Sequence, residues 1–488
     1  MKTSIAAGLT VTGLAIFLTG CTSPPTPTDS TTPWTPPAHA ARQTDSWSAL
    51  RAALPDTTHS LTLPELVDMA LINNPASRRA WSAARAAAAQ VEQARGVFMP
   101  TVTGVASGSR QRTDAEDPAF EQDFLKYGPG LQVNYLILSF GGGRKAAVEA
   151  ALQTVYATDY AFNRTIQDVM LAVETAYYGV ISAEAGITAA EAGVKDAKTA
   201  LAAAQARLNA GVGTELEVLQ AQTVVDQSLY VQANAEGQLK NSRGLLAQAL
   251  GLPADTALKI TPPARELPEL PPAQDLRKLI DEALQRRPDI AALRSTLAAR
   301  QATATAVGSQ LWPSLYFNGS ANRNYYDNNG SKAMQDEDTS YFGGLSLQWT
   351  LFDGFQTLSA RRVARAQIDA AEAQLKQAEL AASAEIWARY HGYETAIQKL
   401  RFSTAFLKSA SATYDAALDS YKGGLKSILD LLNAETQLAQ ARSQLVAARQ
   451  EVFTALANLA YATGLLSKGG ATQARDIFSN PVNKETHE

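Results

Sequence analysis

Cysteine, histidine and an excess of positive charge are all missing or scarce in this sequence. The single cysteine, Cys21, excludes a disulfide scaffold and any zinc site built on cysteines. The four histidines are never spaced as two ligands on one helix face, which leaves little for a metal site or a catalytic imidazole. The formal net charge of −4 argues against a nucleic-acid-binding protein, since such proteins are usually basic.

The amino-terminal residues have the pattern of a cleaved export signal. Lys2 provides a positive start, and the apolar stretch at 5–18 is too short to span a membrane. The residues Leu-Thr-Gly-Cys at 18–21 are similar to a bacterial lipobox, which implies cleavage before Cys21 and acylation of its thiol. By the same resemblance, Thr22 rather than aspartate favours the outer membrane. The alternative is an ordinary signal peptide whose cysteine is incidental.

The rest of the chain contains an internal duplication. Residues of the first half recur at a constant distance in the second half, 213 positions later (288 − 75 = 213). Matching pairs include Pro75 and Pro288, Pro100 and Pro313, Tyr177 and Tyr390, and Gly211 and Gly424. We therefore divide the chain into a signal peptide at 1–20, a proline-rich acylated tether at 21–59, a first repeat at 60–252, a linker at 253–274, a second repeat at 275–465 and a tail at 466–488.

Each repeat is predicted to contain four helices. The first ends before a proline, because the residue that precedes proline avoids the helical region. The third is very long and contains no proline, as an uninterrupted helix requires. The predicted pairs of helices are 62–74 and 275–287, 76–98 and 289–311, 143–209 and 356–421, and 215–250 and 428–463.

Between the second and third helices the hydrophobic period changes to two, which predicts strands. The strands are placed at 101–110, 131–137, 314–325 and 341–351, with loops rich in acidic residues and asparagine at 111–127 and 326–340. Alternation of this kind fits a transmembrane barrel with a wet lumen, and it equally fits a soluble sandwich. The lipobox favours the barrel. Four strands cannot close one, since about eight are needed, so the barrel must be shared between subunits.

Two segments carry a resemblance to a known family. Residues 349–355 (Trp-Thr-Leu-Phe-Asp-Gly-Phe) and 424–434 (Gly-Leu-Lys-Ser-Ile-Leu-Asp-Leu-Leu-Asn-Ala), in this duplicated order, resemble TolC-like outer membrane efflux proteins of the acylated branch. The resemblance implies a mainly α chain that forms a homotrimer, with a trimeric α-helical barrel and a shared twelve-stranded transmembrane β-barrel. It also implies docking to a periplasmic adaptor and an inner-membrane pump. The first repeat departs from the pattern at 138–144, which reads Leu-Ser-Phe-Gly-Gly-Gly-Arg.

The resemblance further implies a gate at the periplasmic helix ends. Tyr421, Lys426 and Asp430 match gate positions, and Glu217 matches their acidic partner in the first repeat. Asn433 matches a second aspartate of the family, so a trimer would carry a ring of three carboxylates that attracts cations weakly. The alternative is that Glu217 and Asp430 are solvated acids at helix amino termini, where the helix dipole favours negative charge.

The sequence thus predicts a passive exit duct in the outer membrane, extending into the periplasm. We expect no catalytic step and no cofactor beyond the covalent lipid on Cys21. The alternatives are the outer membrane component of a type I protein secretion system and a non-conducting envelope scaffold. A solid scaffold of helices would need apolar heptads facing its axis, whereas alanine, glutamine and charged residues dominate the long helices.

Overall fold

The computed structural model describes residues 60–115, 120–262, 276–328 and 337–466. The predicted signal peptide at 1–20, Cys21, the tether at 21–59 and all but the first residue of the tail at 466–488 lie outside these ranges. The same holds for most of the predicted linker at 253–274. These segments therefore remain predictions from the sequence.

The described chain passes through one order of elements twice, which confirms the duplication. The first repeat consists of α1 (Leu63–Asn73), α2 (Pro75–Arg95), β1 (Thr101–Ala115), β2 (Phe120–Ser139), α3 (Gly143–Asn209) and α4 (Glu215–Ala249). The second consists of α5 (Leu276–Arg286), α6 (Pro288–Gly308), β3 (Ser314–Asn328), β4 (Glu337–Gln348), α7 (Gln356–Lys422) and α8 (Ile428–Ala462). One 3₁₀ turn follows α2 at Gly96–Phe98 and another follows α6 at Ser309–Leu311.

The long helices α3 and α7 contain 67 residues each, which corresponds to roughly 100 Å at 1.5 Å per residue. α3 packs along α4 and also contacts α2, α6 and α8, whereas α7 packs on α8 and α6. Among the described residues, no helix combines the length and the apolar character that crossing a membrane demands.

The strand-to-helix join of the first repeat is built from glycine for a steric reason. Gly142 has a left-handed φ of 71°, and a Cβ on Gly143 would lie 1.8 Å from Ser309 Oγ. The second repeat makes the same join differently, because Asp353 accepts a hydrogen bond from the Thr357 amide at 2.8 Å. The departure at 138–144 therefore reflects close packing against Ser309, and the helix still begins at the equivalent place.

The four strands form one antiparallel sheet in the order β1-β2-β3-β4. The register places apolar residues on one face and polar residues on the other, as the alternation predicts. On the polar face, Asn134 donates to Asn318 at 2.9 Å, and Asn318 donates to Ser346 at 3.0 Å. On the other face, large side chains such as Leu131 and Tyr341 are exposed in the single chain.

The strands are longer than predicted, so the loops predicted at 111–127 and 326–340 were wrong at their edges. Polar composition suggested loops there, but cross-strand pairs continue the ladder. Arg110 makes two hydrogen bonds with Asp123, at 2.7 and 2.9 Å, and Arg323 contacts Glu337 at 3.0 Å. β4 also ends at Gln348, three residues earlier than predicted.

Buried apolar side chains form two separate clusters. The middle cluster joins α1 and the described start of the linker to the central parts of the long helices, and it includes Tyr177, Leu246, Tyr393 and Leu459. The tip cluster lies near the ends of α3 and α7, and its members are mostly alanine and leucine. They are Ala200, Ala203, Ala204, Ala221, Ala410, Tyr414, Tyr421, Ile428, Leu431, Leu432, Ala434, Leu438 and Ala441. Small side chains there allow the helices to approach closely.

Candidate functional site

Both long helices end at a glycine in the same position of the repeat. Gly211 and Gly424 have φ angles of 74° and 75°, which only glycine adopts without strain. The Val212 amide then bonds the Arg207 carbonyl at 3.0 Å, and the Leu425 amide bonds the Ser420 carbonyl at 2.9 Å. These are Schellman endings, and they turn the chain back into α4 and α8.

Two of the predicted gate residues meet at this break. The Tyr421 hydroxyl donates a hydrogen bond of 2.6 Å to Glu217 Oε2, which joins α7 of the second repeat to α4 of the first. Tyr421 is only 1% exposed. Burial, together with the hydrogen bond and the charge of Glu217, raises the pKa of Tyr421 to about 12. The phenol therefore remains a proton donor throughout the physiological range, and the bond persists.

A third member of this group, Arg207, was not predicted from the sequence. Its Nη1 donates to the Tyr421 carbonyl at 2.9 Å, and its Nη2 donates to the Val212 carbonyl at 3.2 Å. Its Nε lies 4.0 Å from Glu217 Oε2, and its guanidinium lies 4.9 Å from the centre of the Tyr421 ring. We call Arg207, Glu217 and Tyr421 the tip triad.

One feature of the sequence could have identified Arg207 as a functional candidate. It is the single basic residue between Lys198 and Lys240, and it stands in the last turn of a helix, where positive charge is favourable. Its partner carbonyl is 214 residues away along the chain, and that contact is a product of the fold.

The other predicted gate residues lie apart from the triad. Asp430 forms a capping box with Ser427: Asp430 Oδ2 accepts from the Ser427 amide at 3.1 Å and from its hydroxyl at 2.8 Å. These bonds hold the pKa of Asp430 below its usual value, and the bond from the Ser427 hydroxyl has the largest effect. The positive charge of nearby Lys426 lowers the pKa further. Lys426, Asp430 and Asn433 are exposed. In the described part of the chain, none of the three bonds Tyr421 or Glu217.

A second polar group, also missed, lies deeper in the tip cluster. Arg442 Nη1 contacts Asp196 Oδ2 at 2.6 Å, and the Tyr414 hydroxyl donates to the Asp196 carbonyl at 3.1 Å. Beside them, Glu435 on α8 is 4% exposed. Burial and the charge of Asp196 raise the pKa of Glu435 to about 7, although Arg442 opposes the shift. Glu435 and Arg442 are seven residues apart on one helix face, which was the available sequence signal.

Comparison with known proteins supplies the family. The family model described as outer membrane efflux protein matches residues 66–252 and 279–465. The protein CyaE of Bordetella pertussis is 28% identical over 392 residues, which cover 79% of this chain and 77% of that protein. The outer membrane protein OprJ of Pseudomonas aeruginosa is 27% identical over 401 residues, covering 78% and 83%. The solved structure of the outer-membrane channel OprN superimposes with a TM-score of 0.72 at 23% identity, covering 82% of this chain and 89% of that one.

Proposed function

Because this chain belongs to the outer membrane efflux protein family, we propose that it is the exit duct of a tripartite efflux system. It lies in the outer membrane and extends into the periplasm, where it receives substrate from an adaptor and an inner-membrane pump. Substrate passes through it unchanged, so the duct needs neither a catalytic residue nor a cofactor. A lipid on Cys21 adds an anchor to the membrane leaflet.

The observation that carries this proposal is an unequal covering of the two long helices. α3 packs against α6 and α8 of the other repeat. The equivalent partners of α7 are α2 and α4, and within the described residues α7 shows no comparable packing on them. A second copy, placed by the same rotation that relates the two repeats, would cover α7 with its own α2 and α4. Repeated contacts of this head-to-tail kind close into a ring when the rotation between copies divides a full turn.

The sheet supports a ring of three copies. β1 and β4 each pair with one described neighbour, so each retains a free edge. Open edges are not tolerated in lipid, and about eight strands are the minimum for a barrel. Three chains of four strands would supply twelve strands. Strands of 12 to 20 residues exceed the roughly ten that a tilted strand needs to span a bilayer. In this barrel, the sheet face that carries the exposed Leu131 and Tyr341 would point toward lipid. The face that carries Asn134 and Asn318 would point toward the lumen.

The tip triad is the proposed gate at the periplasmic end. Tyr421 fastens the end of α7 to Glu217 at the start of α4, and Arg207 binds the carbonyl of the same tyrosine. Asp430 of each chain stands at the exposed start of α8, where three copies would form the predicted carboxylate ring. Release of the triad frees α7 and α8 to move away from the pore axis.

Exposed apolar residues mark the surface proposed to receive the adaptor. Val212 and Leu216 are exposed beside the first glycine break, and Leu425 and Leu429 occupy the equivalent positions beside the second. Large apolar side chains exposed in a group are typical of interaction surfaces. Their repetition gives each chain two similar docking points, so three chains would offer six.

Single-channel conductance of the purified protein in a planar bilayer tests the proposal. We expect small conductance steps for the wild type and larger or more frequent openings for Tyr421→Phe, which retains the ring and removes the hydroxyl bond to Glu217. Tyr230→Phe is the matched control, because Tyr230 is 70% exposed. Folded, inserted protein that never conducts would refute the duct and favour the scaffold. A Tyr421→Phe variant indistinguishable from Tyr230→Phe would refute the gate alone.

A further inference from the structure

A buried glutamate lies inside the apolar tip cluster without full hydrogen bonding. Glu435 belongs to the face of α8 that also carries Leu431, Leu432 and Leu438. Its side chain is 4% exposed, and its Oε2 has no hydrogen-bond partner among the described residues. A buried carboxylate without such partners is costly in its ionised form, so this position favours the neutral acid.

The charged and titratable groups around Glu435 come from three helices. α3 contributes Asp196, α7 contributes Tyr414, and α8 itself contributes Arg442 two turns further on. Arg442 is already bound to Asp196 at 2.6 Å, so its positive charge is largely matched by that partner. Glu435 therefore lies beside the Asp196 carboxylate, and little positive charge remains nearby to stabilise its ionised form.

The duplication shows that the fold does not require this acid. The equivalent of Glu435 in the first repeat is Gln222 (435 − 213 = 222). By the same offset, Arg442 corresponds to Leu229, and Asp196 corresponds to Ser409. The charged group therefore occupies the seam between α3 and α8 within one chain, and the equivalent seam between neighbouring chains would lack it.

We propose that Glu435 is a proton-dependent latch, which in its neutral form holds α8 against α3 and in its ionised form loosens that seam and favours opening. The proton passes to solvent when the seam opens, and the carboxylate becomes hydrated. This inference rests on the proposed function, because the seam it controls belongs to the same gated end.

The direction of the pH effect follows from the burial. In the closed seam burial and Asp196 raise the pKa of Glu435 to about 7, whereas a hydrated glutamate has a value of 4.5. The closed form therefore keeps its proton in a range where the open form loses it. Closure is strongest at the acidic end of this range and weakens up to about pH 7. Each pH unit in between changes the ratio of open to closed by up to about tenfold.

The test compares wild type, Glu435→Gln and Glu451→Gln between about pH 5 and pH 8. The glutamine at 435 repeats what the first repeat already contains at Gln222, and Glu451 is an exposed acid on the same helix. Two quantities are measured: the open fraction in a planar bilayer, and the distance between spin labels on Lys198→Cys and Gln440→Cys. Both labelled positions are exposed, the first on α3 and the second on α8.

In wild type and Glu451→Gln, we expect the open fraction to rise at least tenfold with pH and the label distance to increase measurably. Both should stay at their acidic values in Glu435→Gln. A Glu435→Gln variant that keeps the wild-type response would overturn the latch, as would a label distance that ignores pH in the wild type. A channel that conducts without any response to pH refutes the latch and leaves the duct. A label distance that responds in protein that never conducts retains the latch and refutes the duct.

Discussion

Replacing Arg207 by methionine removes a side chain that contacts three partners at the tip. Its guanidinium donates to the Tyr421 and Val212 carbonyls and stands 4.0 Å from Glu217. Methionine has a similar length and retains the contact with the tyrosine ring, so the packing loss is small. The Tyr421–Glu217 bond is left in place but without its positive neighbour.

The size of the effect follows from these contacts. A hydrogen bond from a charged donor contributes about 1.5–3 kcal/mol. The bond to the Tyr421 carbonyl is the shorter one and is part-buried, whereas the 3.2 Å bond to Val212 is exposed and contributes little. We therefore expect the closed state to lose about 1.5–3 kcal/mol per chain, which is roughly a 10- to 150-fold rise in the ratio of open to closed for one gate and a larger rise for the pore if its gates open together.

Single-channel recording at fixed pH and salt measures that ratio directly. Lys198→Met is the matched control, because it removes an exposed cation from the same helix. Arg207→Lys should lie between wild type and Arg207→Met, since lysine retains the charge and loses the two-carbonyl geometry. An Arg207→Met channel that opens no more often than Lys198→Met would refute the assignment of Arg207 to the gate.

Three further predictions concern stability and anchoring. Arg287→Ala should lower the free energy of unfolding by about 3 kcal/mol, because the 4% exposed guanidinium pairs with Asp289 and Glu385 and binds the Ala462 carbonyl. Thermal unfolding measures this loss, with Arg294→Ala, at an exposed arginine, as the control. Asp430→Asn should remove a stabilisation of the fold that is present above the ordinary pKa of 3.8 and is lost as the pH falls through the lowered pKa of Asp430 in the folded protein. The stabilities of wild type and Asp430→Asn, measured by acid unfolding, should therefore converge at low pH. Unfolding curves that stay parallel would contradict the capping role. Cys21→Ala should abolish acylation, seen as a missing lipid mass on the mature protein by mass spectrometry, and an unchanged mass would contradict the lipobox.

The sequence predicted the helices well because prolines and glycines fix their ends. The helix predicted at 143–209 is observed at Gly143–Asn209, and the one predicted at 428–463 at Ile428–Ala462. The strand ends were less predictable, since polar residues at 111–115 and 120–127 have the composition of a loop and are ordered by pairing across the hairpin. Arg207 and Glu435 depend on contacts made from distant parts of the chain, which local patterns do not reveal.

In the proposed trimer, duplication followed by assembly would let modest contacts keep a wide pore shut. If the three gates of a trimer open together, the loss per chain is counted three times, so about 1.5–3 kcal/mol from Arg207 becomes about 4.5–9 kcal/mol for the pore. The two seams of each chain have also diverged: the one within the chain carries the Asp196–Arg442 pair, and its counterpart carries Ser409 and Leu229. The proposed ring would therefore alternate between a seam that carries Glu435, which responds to protons, and a seam that carries the neutral Gln222 in its place. In this proposal, a partner that acts on the exposed tips needs to weaken only one kind of seam to open all three gates.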